Sequence, residues 1–356
     1  MDDFLMRSFK GKRVLVTGHT GFKGPWLLAM LDALGAVTTG YGLAPETSPS
    51  GYEKIGADKL CRSVIADLRD RETLQKTIHD TKPEVVIHMA AQSLVRRSYR
   101  DPVDTFESNI VGTMNVLEAL RNYDAPCAAV IVTTDKVYAE NHTGQAYVES
   151  DKLGGHDPYS TSKACCELLT DSYRLSYFHP DKHASHRKSI ATARAGNVIG
   201  GGDWCEDRLV PDLVRAMANE KPVRVRNPTA VRPWQHVLEP LTGYLLLAAH
   251  QMQFPSTFCE CFNFGPEASD TLRVQEVVEL ALQSWGTGSF YVDIDPNAPH
   301  EAALLKLDST KSKTRLGWRP RWDARTAITE TVAWYRHSEP NPLAYTRKQI
   351  ASYFNA

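Results

Sequence analysis

Apolar and polar positions along this chain fall into blocks of two lengths. Short apolar runs recur at 12–17, 36–41, 61–65, 85–92, 128–132 and 190–194. Such runs suit strands buried on both faces of a parallel sheet. Between them lie longer stretches with helical spacing: 25–35, ending at Gly35, then 70–80, 104–123 and 159–177. Strands alternating with helices predict an α/β fold with a doubly wound parallel sheet. A polar, turn-rich stretch at 140–155 reads as a loop that covers a site, and the polar insert 179–188 as a surface loop. The glycines at 200–202 mark a crossing to a second, smaller α/β lobe. That lobe is expected to hold a helix ending near 219, a hairpin-like segment 223–227 and a last amphipathic helix 325–337. The expected division is 1–198, with 234–265 returning to it, against 199–233 and 266–356, the C-terminal substrate-binding domain.

Composition narrows the class. The 356 residues carry 41 basic and 42 acidic side chains, a net charge of −1 that gives no footprint for nucleic acid or a membrane surface. The acidic N-terminus lacks the apolar core of a signal peptide, and no run of about 18 apolar residues occurs. The seven cysteines have no framework spacing; Cys165 and Cys166 are adjacent, and Cys259-x-Cys261 has no partners to complete a zinc site. Reduced thiols in a cytoplasmic protein without a metal are expected. His179, His183 and His186 are spaced like a metal face, but Pro180 and charged neighbours point to a solvated loop.

The candidate chemistry begins where the first strand ends, at Gly18, His19, Thr20, Gly21, Phe22, Lys23 and Gly24. Strand, glycine-rich turn and helix in succession are the context of a dinucleotide-binding, Rossmann-type turn. One glycine allows the turn, one lets backbone approach a pyrophosphate and one lets helix pack on strand, while the helix N-terminus faces the phosphates. The second strand ends without an Asp or Glu for a ribose hydroxyl, Glu46 being nearest, and without an Arg for a 2′-phosphate; NAD is expected rather than NADP. The fourth strand ends in the small pair Ala90–Ala91 and Gln92, and Asn109 sits among apolar positions of the long helix. Thr134, Asp135 and Lys136 arrive together at the end of the next strand, where open parallel sheets bind ligands. Tyr159 and Lys163 lie one helical turn apart, so the ammonium is expected to favour the phenolate and make Tyr159 a base. Arg208 and Arg232 are candidates to grip a diphosphate through their guanidinium forks.

The G-x-x-G-x-x-G spacing together with Tyr159-x-x-x-Lys163 resembles the short-chain dehydrogenase/reductases. Over essentially its whole length the chain resembles the extended members that modify nucleotide sugars. The triplet Thr134-Asp135-Lys136 and the strings 153–160, 200–204 and 232–240 are similar to the 4,6-dehydratase branch that acts on CDP-glucose. The chain departs from that branch between 139 and 150, which bears on the exact sugar nucleotide more than on the reaction. The resemblance implies NAD as cofactor, with Asp67 and Leu68 against the adenine and Ala90, Ala91, Gln92, Asn109, Tyr159 and Lys163 completing its site. It implies a nucleotide-sugar grip of Arg97, Asn197, Arg208, Arg232, Gln235 and His236. Tyr159, assisted by Lys163 and Thr134, would take the proton of the 4-hydroxyl as hydride leaves C4. One of Asp135 and Lys136 would then remove the C5 proton, the other would help the 6-hydroxyl leave, and hydride would return to C6. The product would feed deoxy sugars of surface polysaccharide. The resemblance further implies a homodimer paired through a four-helix bundle of 104–123 and 159–177. A 4-epimerase would need the same Tyr and Lys but no acid/base pair at C5 and C6; a non-catalytic NAD-binding regulator would be expected to lack the Tyr or the Lys.

Overall fold

The computed structural model describes residues 2–140, 144–294 and 305–356. Each of the six apolar runs forms a strand: β1 (Arg13–Thr17), β2 (Val37–Gly42), β3 (Arg62–Ile65), β4 (Val85–His88), β5 (Cys127–Val132) and β6 (Lys188–Ala195). They pair in parallel in the order β6, β5, β4, β1, β2, β3, and Cys261–Phe264 adds a parallel edge strand outside β6. Every residue of β4, β5 and β6 is buried, as expected of strands covered on both faces. The order reverses between β1 and β4, and the crevice at that switch point is where such sheets hold ligands.

The covering helices are set by local sequence. Lys23–Ala33 is apolar nearly all round and is buried from Gly24 to Leu31. It is enclosed because the Pro342–Asn355 helix, which the sequence reading did not foresee, packs on its outer side. The acidic N-terminus also forms a helix, Asp3–Phe9. Asp2 caps it by accepting from the Phe4 and Leu5 amides, and Leu5 and Phe9 are driven into the core. The expected single helix 104–123 is broken into Pro102–Phe106, a π-helical turn Glu107–Val111 and Gly112–Arg121. The wide turn carries Asn109 inward.

Beyond residue 198 the helices Leu209–Ala218, Val274–Trp285 and Ala324–His337 surround a separate apolar cluster. The hairpin expected at 223–227 is not formed. Val223–Val225 pairs in parallel with Phe290–Val292, and Asn227-Pro228 offers no Asn-Gly-type turn to fold the chain back. The insert 179–188 is made of short helical turns, Pro180–Lys182 and His183–His186, with no buried residue in either. Among the described residues no cluster of side chains is suited to a metal, and no helix is long and apolar enough to cross a membrane.

The tail does not stay with the second lobe. Thr310–Leu316 packs against the Cys261–Phe264 edge and Leu238–Gln253, and Trp318, Ile350 and Tyr353 share a core with Trp26 and Leu238. Over the C-terminal end of β5 a small cluster forms from Tyr138, Tyr147, Leu305 and Leu307, with single β-bridges joining Tyr138 to Leu153 and Tyr147 to Leu307. Residues 141–143 of the expected covering loop lie outside the described residues.

Candidate active site

One cleft of about 1320 Å³ runs along the C-terminal ends of the central strands and between the two lobes. Its cofactor end is built by backbone. Gly18 has φ +75°, and a Cβ there would lie 2.7 Å from the Ala90 amide nitrogen; a Cβ on Gly24 would lie 2.0 Å from the His19 carbonyl oxygen. Gly21, between them, is open towards the cleft, with only the Gly18 carbonyl within 4 Å. The turn therefore presents backbone and a helix N-terminus to an anion, as a dinucleotide pyrophosphate requires. Thr20, Phe22, Lys23, Asp67, Leu68, Ala90, Ala91 and Gln92 line the same end.

Gly24 is the packing glycine, as its place in the turn predicts, and two other expected cofactor ligands turn out to be supports. The His19 ring is buried against Gly40, its Nε2 2.7 Å from Ser63 Oγ, because Gly40 leaves room for the ring under β2. Asn109 is buried as well, accepting from the Gln92 amide at 2.8 Å and donating to Gln92 O and to Ser162 Oγ. It fixes the Gln92 backbone instead of touching the cleft. Asp67 is held ionised, first by hydrogen bonds from Arg69. Glu46 pairs with Arg97 Nη1 at 3.0 Å, so Arg97, which also holds Asp104, lines the wall already tied to carboxylates.

At the reacting end, β5 delivers Thr134, Asp135 and Lys136 towards the Pro158–Ser176 helix. Asp157 caps that helix by accepting from the Ser160 amide at 2.9 Å, which sets Tyr159 in its first turn facing the cleft. Thr134 Oγ1 donates to Asp135 Oδ1 at 2.9 Å, and Thr134 is also hydrogen-bonded to the Tyr159 phenol. Lys136 Nζ stands 3.8 Å from Asp135 Oδ1, while Asp135 Oδ2 is buried with no protein partner.

The Tyr159 pKa is not lowered as expected from its spacing to Lys163. Lys163 Nζ donates to the Val132 carbonyl at 2.9 Å, and burial of Tyr159 pushes the phenol up to about 12 despite the opposing Thr134 bond. Desolvation disfavours phenolate and ammonium alike, and burial lowers Lys163 too. Lys23 is a second amine here, unforeseen in this position. It donates to Tyr244 Oη at 3.4 Å, and burial, then Arg208 and Lys163, bring it down to about 7.

On the substrate side Arg208 Nη1 holds Asp203 Oδ2 at 2.9 Å and Nη2 holds Ser93 Oγ at 2.9 Å, which leaves the guanidinium at the cleft wall. Arg232 lines the wall, as does Asn197, whose φ is +50° and whose Nδ2 is buried without a protein partner. Gln235 and His236 do not line the cleft. Gln235 Nε2 donates to Gly196 O and Phe264 O, both at 3.0 Å. His236 packs edge-on between Trp26 and Trp322, where burial pushes it down to about 3 and keeps it neutral. Both are enclosed because their short strand pairs with Val198–Ile199 and runs straight into the buried Leu238–Gln253 helix.

Sequence reasoning also missed Gly196. A Cβ there would sit 2.0 Å from Asp135 Cγ, so this glycine makes room for the carboxylate. The available signal was a glycine one residue past β6, beside the strand that leads into Thr134 and Asp135.

The family described as GDP-mannose 4,6 dehydratase matches residues 15–331. A CDP-glucose 4,6-dehydratase of Salmonella typhimurium is 42% identical over 350 residues, 98% of each chain. Among solved structures, a dTDP-glucose 4,6-dehydratase from Streptomyces venezuelae with NAD bound superposes with a TM-score of 0.77 at 24% identity, over 91% of this chain and 97% of that one. A UDP-glucose 4-epimerase from Thermus thermophilus in complex with NAD gives 0.77 at 26% identity, over 92% and 99%. The glycine-rich turn, the Tyr and Lys one turn apart and the Thr-Asp-Lys triplet sit on one cleft in a fold these proteins share. The chain belongs to the GDP-mannose 4,6 dehydratase family, the nucleotide-sugar dehydratases of the extended short-chain dehydrogenase/reductases.

Proposed function

We propose that this enzyme dehydrates CDP-glucose to CDP-4-dehydro-6-deoxyglucose with NAD. One observation carries the reading: Asp135 and Lys136, 3.8 Å apart, are joined through Thr134 to Tyr159. Epimerisation at C4 alone has no use for such a pair. NAD held in the glycine-rich cradle would supply the hydride acceptor for C4 and the hydride source for C6. Tyr159 takes the 4-hydroxyl proton, with Thr134 hydrogen-bonded to the phenol and Lys163 anchored one turn along at the Val132 carbonyl. The ketone acidifies C5–H, and the Asp135–Lys136 pair divides proton removal at C5 and protonation of the departing 6-hydroxyl. An ammonium cannot accept a proton, so Lys136 acts at C5 only when neutral, with Asp135 as the acid. We take Arg208, Arg232, Arg97 and Asn197 as the grip on the nucleotide sugar, and Gly18, Thr20, Gly21, Phe22, Asp67, Leu68 and Ala90–Gln92 as the cradle of NAD, a reading supported by their lining of one cleft.

The test is turnover of a nucleotide-sugar panel followed by product analysis. A 4-keto-6-deoxy sugar from CDP-glucose supports the reading; a 4-epimer, or preference for another nucleotide, overturns it. We further propose that the enzyme is a cytoplasmic homodimer. Val103, Val111, Leu168 and Leu175 are exposed on the helices 102–121 and 158–176, and Leu168 and Leu175 stand two turns apart on one face. A monomer at micromolar concentration in light scattering refutes the four-helix-bundle pairing. We take the cofactor lobe as 1–198 and 234–265 with the tail helices, a division supported by the packing of Thr310–Leu316 and Pro342–Asn355 on it.

A further inference from the structure

Two charges that the proposed chemistry does not use are buried directly behind the reacting triplet. Glu167 lies one turn beyond Lys163 and two beyond Tyr159 on the same helix, and Arg194 lies on β6; their side chains are 4% and 3% exposed and 2.9 Å apart. Glu167 accepts from Thr133 Oγ1 through Oε1, and from Thr192 Oγ1 at 2.7 Å and Arg194 Nη2 through Oε2. Arg194 Nη1 donates to Tyr138 Oη at 2.7 Å and to the Glu149 carbonyl at 3.0 Å. Tyr138 donates onward to Asn263 Oδ1 at 2.7 Å and stacks on Tyr147, 4.8 Å between ring centres. Residues 134–136 are thus bracketed by one ion pair, which grips Thr133 on one side and Tyr138 on the other.

Burying such a pair gives up the hydration of both ions, and a well-packed apolar pair is often at least as stable. Fold stability is therefore a weak reason for this pair to exist. Tyr159 has a separate anchorage, through its helix cap at Asp157 and the Lys163 bond to Val132. Asp135 and Lys136 sit on a short 3₁₀ turn, Asp135–Val137, whose flanks are what Glu167 and Arg194 hold.

We propose that the Glu167–Arg194 pair is a positioning device for the elimination half of the reaction, setting Asp135 and Lys136 against C5 and C6 and tying them to the covering segment 147–149. The proposal rests on the dehydration reading, and failure of that reading shows separately, as wild-type enzyme that yields no 4-keto-6-deoxy product from CDP-glucose.

The experiment compares Arg194→Lys, which keeps the charge but loses the fork, with the double variant Glu167→Met/Arg194→Met, which removes both charges. Three quantities are read: melting temperature, substrate-dependent absorbance of the reduced cofactor, and solvent deuterium incorporated at C5. With CDP-glucose, both variants should still oxidise C4 and accumulate reduced cofactor. C5 deuterium and kcat should fall by about 100-fold with KM little changed, as expected for a misplacement near 1 Å. Melting near the wild-type temperature with the two half-reactions separated in this way supports positioning. Normal kcat in either variant overturns the proposal. So does equal loss of C4 oxidation and C5 exchange, which is what a purely structural role gives. If the double variant does not fold, Arg194→Lys alone decides by the same two outcomes.

Discussion

Replacing Gly196 by Ala perturbs the site through one methyl group. The Cβ would sit 2.0 Å from both Asp135 Cγ and Oδ2 and 2.3 Å from Oδ1. Relaxed carbon–carbon contacts lie near 3.5 Å, so roughly 1.5 Å of overlap must be relieved. Gly196 does not have a positive φ, so Ala meets no backbone penalty, and the whole effect falls on contact with the carboxylate. The carboxylate cannot yield freely, because its Oδ1 accepts from Thr134 at 2.9 Å and its residue is 1% exposed. A displacement near 1 Å of a group that must meet a reacting atom costs about 100-fold in rate. The accompanying overpacking should cost about 1–3 kcal/mol of stability, compatible with a folded enzyme. The assay is steady-state turnover of CDP-glucose by Gly196→Ala beside its thermal melt. Expected are kcat down by about 100-fold, a modest KM change and a folded protein. A folded variant with near-normal kcat would mean either that Asp135 is not engaged with substrate or that it acts from a different position, and would refute the reasoning.

Three further outcomes follow from the same geometry. Arg208→Ala and Arg232→Ala should each raise KM at least tenfold, since each loses charge-assisted bonds worth about 1.5–3 kcal/mol; unchanged KM in both would move the diphosphate grip elsewhere. Lys136→Met should still oxidise C4 and build up reduced cofactor with substrate, yet incorporate no solvent deuterium at C5; normal incorporation makes Asp135 the base. Burial raises Glu239 to about 7 from 4.5 although it accepts from the Arg321 and Trp322 amides and from Tyr353 Oη. A carboxyl raised on folding binds more protons when folded, so its contribution is complete below the unfolded value and is lost as pH rises through 7. The melting temperature of Glu239→Gln relative to wild type should therefore climb between about pH 5 and 8, and a constant difference would contradict the assignment.

Much of the sheet and the reacting residues could be read from the chain, because both are written in local patterns. Buried parallel strands are short apolar runs; a phosphate-binding turn is glycines between strand and helix; a Tyr–Lys pair is two residues one turn apart. What escaped was carried by contacts distant in sequence. Nothing local says that Val223–Val225 will pair with Phe290–Val292, or that Pro342–Asn355 will close over Trp26. His236 looked like a polar residue in a functional string, and its neutral, aromatic enclosure depends on Trp26 and Trp322, 210 positions before and 86 after it.

Tyr159 marks the boundary between these two kinds of information. The spacing to Lys163 correctly places two side chains on one helix face, but it cannot weigh a neighbouring ammonium against the loss of water around a phenol. In the folded chain desolvation prevails: the phenol rises to about 12, and Lys163 is turned to the Val132 carbonyl. The protein's own residues therefore hold Tyr159 protonated at neutral pH. A phenolate-forming site must gain positive charge from what it binds, so base strength at C4 arises only when the cleft is filled. The Asp135 carboxylate, close enough to push the phenol up further, works against that change. Tyr159 and Asp135 are thus joined through Thr134, which bonds to both. The pH dependence of turnover should therefore describe this hydrogen-bonded cluster and not Tyr159 alone.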